Sequence, residues 1–372
     1  MMVVELIAGL SYRWVLKPLL FLCDPEKVHD LTVSFGEKLG NSGTARSIVN
    51  NFFNYKHPKL KQRLLGIDFS NPMGLAAGFD KNARLTQFLP NFGFGFEEVG
   101  SITSLSCIGN PKPRLDRLPK SRGLVVNYGL CNSGADAILS RLVSLKYEFP
   151  LGISIAKTNS PETITKEDGI EDYKTCFEKV LKSKVGDYIT VNISCPNAYG
   201  REPFSMPENL NDLLAALSLV PRIKPVFVKI PADINQQELS ELLVICRKYS
   251  MNGVIISNLT KDRKSKVINQ EEIKDVIPKG GISGKPTFEK SNELIRFAYK
   301  NFGKELVIMG CGGVFCAEDA YRKIRIGASL IQLITGLIFQ GPQLVCEINR
   351  GLVKFLERDG FANISEAVGI DS

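Results

Sequence analysis

From residue 68 onward the chain alternates short runs rich in β-branched and aromatic residues with longer stretches of helical periodicity. This alternation restricts the fold more than any other feature, because a strand that returns parallel to its neighbour needs a crossover of about a dozen residues, usually a helix. Eight strands are expected, at residues 70–75, 97–102, 151–155, 188–193, 225–230, 253–256, 306–309 and 329–334. Eight parallel strands with intervening helices close into a (β/α)8 TIM barrel, which takes about 250 residues. The 372 residues therefore leave a surplus. It is expected as a small helical N-terminal extension over 1–45, with the barrel domain over 46–372.

Nearly every expected strand is followed by a polar or glycine-containing cluster. These are Ala76-Ala77-Gly78-Phe79-Asp80-Lys81, Gly100-Ser101, Lys157, Ser194-Cys195-Pro196-Asn197, Ser257-Asn258, Gly310-Cys311-Gly312-Gly313 and Thr335-Gly336. Each alone reads as a turn. In a barrel all of them converge at the C-terminal mouth, where active sites sit. The clusters after strands seven and eight let backbone N–H groups approach a phosphate at the two places where barrels commonly bind one. Gly310-Cys311-Gly312-Gly313 follows a late strand without a partner acid after a first strand, so it is not a Rossmann fingerprint.

Lys229 closes the apolar run Val226-Phe227-Val228, and a lysine there needs a partner unless it lies on the surface. An anionic reduced flavin would be such a partner. In the segment from Asn192 to Asn197, two amides flank a loop and can read the donor and acceptor edge of a planar heterocycle, while Cys195 offers a thiolate as base or nucleophile. A buried structural cysteine in an Asn-Pro turn is the alternative.

Charge and cysteine usage narrow the partners. The excess of 47 basic over 39 acidic residues favours an anionic substrate, cofactor or lipid surface. No Lys/Arg run with interleaved aromatics is present, so no nucleic-acid partner is expected. Nine single cysteines without a Cys-x-x-Cys pair read as reduced thiols of a cytoplasmic protein. With His29 and His57 the only histidines, neither in a ligand-like cluster, no metal site and no Ser-His-Asp triad is expected.

The N-terminus is apolar but broken by Arg13, Lys17 and Pro18, and no stretch reaches the roughly 18 apolar residues of a spanning helix. No basic residue precedes the first apolar cluster, which argues against a signal peptide. Two amphipathic helices are expected, over about 4–22 and 25–40, divided by the helix start Asp24-Pro25-Glu26. They read equally as a cap on the barrel or as a patch resting on a membrane.

Taken together, Asn71-Pro72-Met73-Gly74-Leu75-Ala76-Ala77-Gly78-Phe79-Asp80-Lys81-Asn82, the Asn192 loop, Val228-Lys229-Ile230, Gly280-Gly281-Ile282-Ser283-Gly284 and Gly341-Pro342 resemble the dihydroorotate dehydrogenase family over nearly the whole chain. The resemblance implies FMN-dependent oxidation of (S)-dihydroorotate to orotate in pyrimidine biosynthesis. It puts the base at Cys195 and the charge beside the flavin at Lys229. Substrate contacts fall on Lys81, Asn127, Asn192, Asn197 and Asn258. Cofactor contacts fall on Ala76, Ala77, Gly78, Ser101, Ser154, Asn192, Lys229, Ser257, Gly284, Gly312, Gly313, Thr335 and Gly336. The N-terminal helices resemble the extension of the quinone-linked class, with His29 and Arg117 as quinone-binding positions. That class implies a peripheral location on the inner face of the cell membrane, and the oligomeric state stays open.

Four positions depart from the family pattern. Cys195 is the base of the soluble class, where quinone-linked members carry Ser. Val126 stands where a substrate-binding Asn is expected, with Asn127 one place later. Leu259 replaces a hydroxyl residue, and Ile334 replaces a Tyr. Other readings therefore stay open: a dihydropyrimidine-type or soluble-class enzyme with another electron acceptor, or a non-redox barrel that binds a phosphate-bearing substrate.

Overall fold

A computed structural model describes residues 2–195 and 203–372. Eight parallel strands close into a barrel. In chain order they are β1 (Met73–Leu75), β2 (Phe96–Ile102), β3 (Leu151–Ile155), β4 (Tyr188–Asn192), β5 (Val226–Ile230), β6 (Gly253–Ile256), β7 (Val307–Cys311) and β8 (Leu330–Leu333). All eight expected strands are found, with edges shifted for local reasons. The start of β1 retreats to Met73 because Pro72 has no N–H and the Asn71 side chain accepts from the Met73 N–H at 2.9 Å, forming a turn. β7 runs on to Cys311, since Gly310 and Cys311 still pair with Ile331 and Gln332.

Inward-facing side chains fill the barrel in layers. At the base, Phe69, Phe96, Tyr188, Phe227, Ile255, Met309 and Leu330 form one apolar cluster. Its rings fit because glycines stand beneath them: a Cβ at Gly74 would meet the Phe96 ring at 2.3 Å, and one at Gly152 the Tyr188 ring at 2.2 Å. Phe69 enters from a hairpin, Gln62–Leu64 against Ile67–Phe69, closed by Leu65-Gly66 with both residues at positive φ. A polar layer of Glu98, Thr190 and Gln332 lies above the base, contributed by the even strands β2, β4 and β8.

The preceding residue of β2, Glu97, points outward and is equally buried. Burial pushes its carboxyl well above the usual range, and the charge of buried Asp80 adds to that. A carboxyl raised in the folded state stabilises most at low pH, and that contribution is lost as pH rises from the ordinary carboxylate range through the raised value. Glu97→Gln is thus expected to flatten this fall and to gain roughly 1–2 kcal/mol over the parent at about pH 8. Denaturant unfolding near about pH 5 and about pH 8 checks it. An unchanged difference between the two pH values would place the titration elsewhere.

The N-terminal extension is helical, as expected. Met2–Ser11 continues through a π-helical turn, Tyr12–Leu16, into Lys17–Phe21. Pro18 explains the widened turn, as its ring displaces the backbone one turn back and removes an N–H. Pro25–Gly40 starts at the expected place, with Lys27 N–H donating to the Asp24 carboxylate at 2.8 Å. A third helix, Gly43–Phe53, was not anticipated and runs across the expected boundary at residue 45.

Three carboxylates of the extension dock it through ion pairs to the barrel domain. Glu5 accepts from Arg350 at 2.8 Å, Glu37 from Arg84 Nε at 2.8 Å, and buried Glu26 takes Arg114 through both Nε and Nη2 at 2.8–3.2 Å. The opposite face leaves Trp14 77% and Leu22 86% exposed, together with Leu6, Ile7, Leu10, Leu19, Leu31 and Phe35. Cap and apolar patch are therefore two faces of one element. No helix among the described residues is long and apolar enough to cross a membrane.

Candidate active site

The loops that follow the strands frame one cavity, with about 190 Å³ open to the centre of a water molecule, at the C-terminal mouth. It gathers residues far apart in sequence: Ala76, Ala77, Gly78 and Lys81 after β1, Ser101 at the end of β2, Asn192 and Cys195 at β4, Lys229 in β5, Ser257 and Asn258 after β6, Gly312 and Gly313 after β7, Thr335 and Gly336 after β8, and Gly284. His29 reaches the same cavity from the extension.

Not every expected position opens on it. Ser154 is fully buried behind Ser101, their hydroxyls 2.8 Å apart, and Asn192 donates to Ser101 Oγ at 2.8 Å. Asn127 turns away: Asn110 Nδ2 donates to its Oδ1 at 3.0 Å, while Val126 and Tyr128 on either side line the cavity. Extended backbone alternates faces, so the one-place offset from the family pattern sends this amide outward. Arg117 does not line the cavity either. Its guanidinium stacks 4.6 Å from the Phe21 ring and donates to the Phe21 and Cys23 carbonyls, closing the end of the helix Lys17–Phe21. Asn197 lies outside the described residues.

The floor carries the charge. Lys229 is buried, its register partner on β4 is Asn192, and among the described residues its ammonium makes no ion pair or hydrogen bond. Cys311 lies beside it, its thiol pushed up by burial. Two turns frame one end. Gly312 and Gly313 have φ of +114° and +72°, conformations that glycine adopts freely, and a Cβ at either would strike Thr287 Oγ1 at 2.7 Å or Phe288 at 2.5 Å, so only glycine lets this backbone turn at the cavity edge. Opposite them, the Ser283 and Thr335 hydroxyls lie 2.8 Å apart. A Cβ at Gly78 would meet only Ile334 Cδ1 at 3.8 Å, so there the backbone faces open space. An unpaired ammonium, bare glycine turns and hydroxyls suit a planar group bearing a phosphate.

The wall near β4 carries the candidate base. Ser194 donates to Asn192 Oδ1 at 3.0 Å, and Asn258 Nδ2 donates to Ser194 Oγ at 2.9 Å and to its carbonyl at 2.7 Å. Both amides thereby brace the residue that precedes Cys195. Lys157, buried after β3, donates to the Thr163 carbonyl at 2.7 Å and lies within electrostatic reach of Cys195.

Toward the extension, the Lys81 ammonium lies 3.8 Å over the Tyr128 ring and 3.4 Å from His29 Nε2. Burial pushes Lys81 down to about 8. His29 is lowered too, first by burial and then by the Lys81 charge, and its Nε2 donates to the Phe79 carbonyl at 2.9 Å. Beyond them the cavity continues as an apolar arm between Leu115, Leu124, Val126 and Ile338. Leu115 and Leu124 sit on a three-stranded antiparallel sheet, Leu115–Leu118, Gly123–Val126 and Gly281–Gly284. Sequence reasoning missed Tyr128, Cys131 and Ser283 in the lining, and the sheet that carries the last of these.

A closed parallel barrel with its cavity at the C-terminal mouth, floored by a buried lysine and framed by turns after the last two strands, defines an enzyme of the (β/α)8 class. Comparison with known proteins narrows this. Residues 59–356 match the family model described as dihydroorotate dehydrogenase, and the chain belongs to that family. It is 38% identical to a "Dihydroorotate dehydrogenase (quinone)" of Nostoc punctiforme, covering 97% of this chain and 98% of that one. It is 37% identical to a protein of the same description from Natronomonas pharaonis, covering 96% and 98%. Among solved structures, DHODH from Eimeria tenella in complex with ferulenol superposes with a TM-score of 0.82 at 27% identity, over 94% of this chain and 96% of that one.

Proposed function

We propose that this chain oxidises (S)-dihydroorotate to orotate with FMN as cofactor and a quinone as electron acceptor. One observation carries the reading: a single cavity joins Cys195, Lys81, Lys229 and the Gly312–Thr335 turns to His29 of the extension. The oxidation removes a proton from C5 and a hydride from C6, leaving a C5–C6 double bond. FMN, when bound, supplies a ring that takes up the two electrons and yields them to a second oxidant.

The protein's own residues supply the rest. Cys195 as thiolate takes the C5 proton at its Sγ. Lys81 holds the substrate carboxylate, and a bound anion favours the charged form that burial disfavours. Lys229 presents positive charge where the reduced ring becomes anionic. Gly312, Gly313, Thr335 and Gly336 receive the phosphate, with Ala76, Ala77, Gly78, Ser101, Ser257 and Gly284 against the rest of the cofactor. Residues 1–45 form the acceptor side, where the apolar arm beside His29 suits a quinone ring. The exposed apolar face of the extension would rest on a membrane surface.

The test is anaerobic mixing of the flavin-loaded chain with dihydroorotate. The flavin absorbance is expected to bleach and to return on adding a quinone, with slower return on adding fumarate or NAD. A chain that takes up no FMN would sink the reading. Bleaching followed by return only with fumarate or NAD would keep the oxidation and replace the acceptor.

A further inference from the structure

Glu98 stands at the barrel axis, one layer below the cavity floor, and the chemistry above leaves it without a role. Its Oε2 accepts from Thr190 Oγ1 at 2.9 Å and from Gln332 Nε2 at 3.0 Å. Its Oε1 is fully buried and makes no well-aligned hydrogen bond among the described residues, with the buried Tyr188 hydroxyl of the base as its polar neighbour. A glutamine there would fill the same space without the cost of burying an acid, so the carboxyl is not explained by packing. One layer above, the Lys229 ammonium makes no ion pair or hydrogen bond among the described residues and lies within electrostatic reach of Glu98, as does Cys311; burial raises the Glu98 carboxyl and the Lys229 charge pulls it back toward the ionised form. A buried carboxyl held by Thr190 and Gln332 and a buried ammonium with unused donors thus share the interior of one barrel.

We propose that Glu98 is a positioning residue for Lys229: its carboxyl draws the ammonium toward the barrel axis and offsets its charge, so that the pair, not Lys229 alone, sets the field felt by the bound ring. This rests on the reading that the cavity holds a flavin. Thr190 and Gln332 keep the carboxyl upright, and the apolar base below denies it water. In such an interior a charge one layer below the floor acts at a distance that water would screen.

The variant Glu98→Gln keeps size and the acceptor facing Thr190 while removing the acid. Its flavin content should match the parent. Its affinity for sulfite, which adds to flavins as an anion, should rise about tenfold, with a matching positive shift of about 30 mV in the two-electron midpoint potential. Glu98→Asp should fall between the two. Should Glu98→Gln fail to fold, Thr190→Val, which releases the carboxyl from its donor, is expected to shift sulfite affinity in the same direction. Sulfite affinity and potential unchanged in a flavin-replete variant would overturn the proposal. A parent chain that takes up no flavin would overturn the underlying reading as well, and the parent's own spectrum tells the two failures apart.

Discussion

Replacement of Cys195 by Ala is expected to slow flavin reduction by dihydroorotate about a hundred- to ten-thousand-fold, the usual loss when a positioned base is removed. Flavin content should be retained, because the glycine turns and Lys229 lie on other strands. The parent's reduction rate should rise with pH through the thiol titration, since only the thiolate accepts the proton. A free thiol titrates near about 8.5, within reach of neutral pH, whereas a serine hydroxyl needs a relay to become a base. Val126 and Leu259 line this cavity where the family pattern has polar side chains, and neither can pass a proton. Cys195→Ser is therefore expected to be severely impaired as well. Stopped-flow reduction across pH separates the cases. Equal rates and an equal pH profile in Cys195→Ser would mean that the base lies elsewhere.

The second large effect is expected at Lys229. Lys229→Met keeps the aliphatic stem within β5 but removes the charge, and should slow flavin reduction about a hundred- to a thousand-fold, as when one preorganised charge-stabilising donor is lost. Sulfite affinity should fall in parallel, opposite in sign to the effect of Glu98→Gln. Loss of the ammonium also leaves Glu98 buried without its compensating charge, so stability is expected to drop, and Lys229→Arg controls for this by restoring a cation. Unchanged reduction in a folded, flavin-bound Lys229→Met would remove the lysine from the chemistry.

Much of this protein is legible in its residues because the signals are local. Alternating strand and helix periods define the barrel, Asp24-Pro25 marks a helix start, and glycine pairs mark the turns after β7 and β8. The missed elements depend on distant pairings. Gly281–Gly284 joins Gly123–Val126 across more than half the sheet-forming chain, and the hairpin before β1 has only three residues a side, too few for a periodic signal.

Position within an element is where sequence reading stops. Glu97 and Glu98 are adjacent and equally buried, so hydrophobic alternation cannot say which enters the barrel. The register of β2 decides it, turning Glu98 toward Thr190 and Gln332 and Glu97 toward Asp80. The same parity turns Asn127 away from the cavity and Val126 into it. The residues by themselves determined that these strands form a barrel and that Lys81, Cys195 and Lys229 end near its mouth. Only closure of the sheet decided which side chains face inward, because a one-residue shift along a strand reverses every face while leaving the composition unchanged.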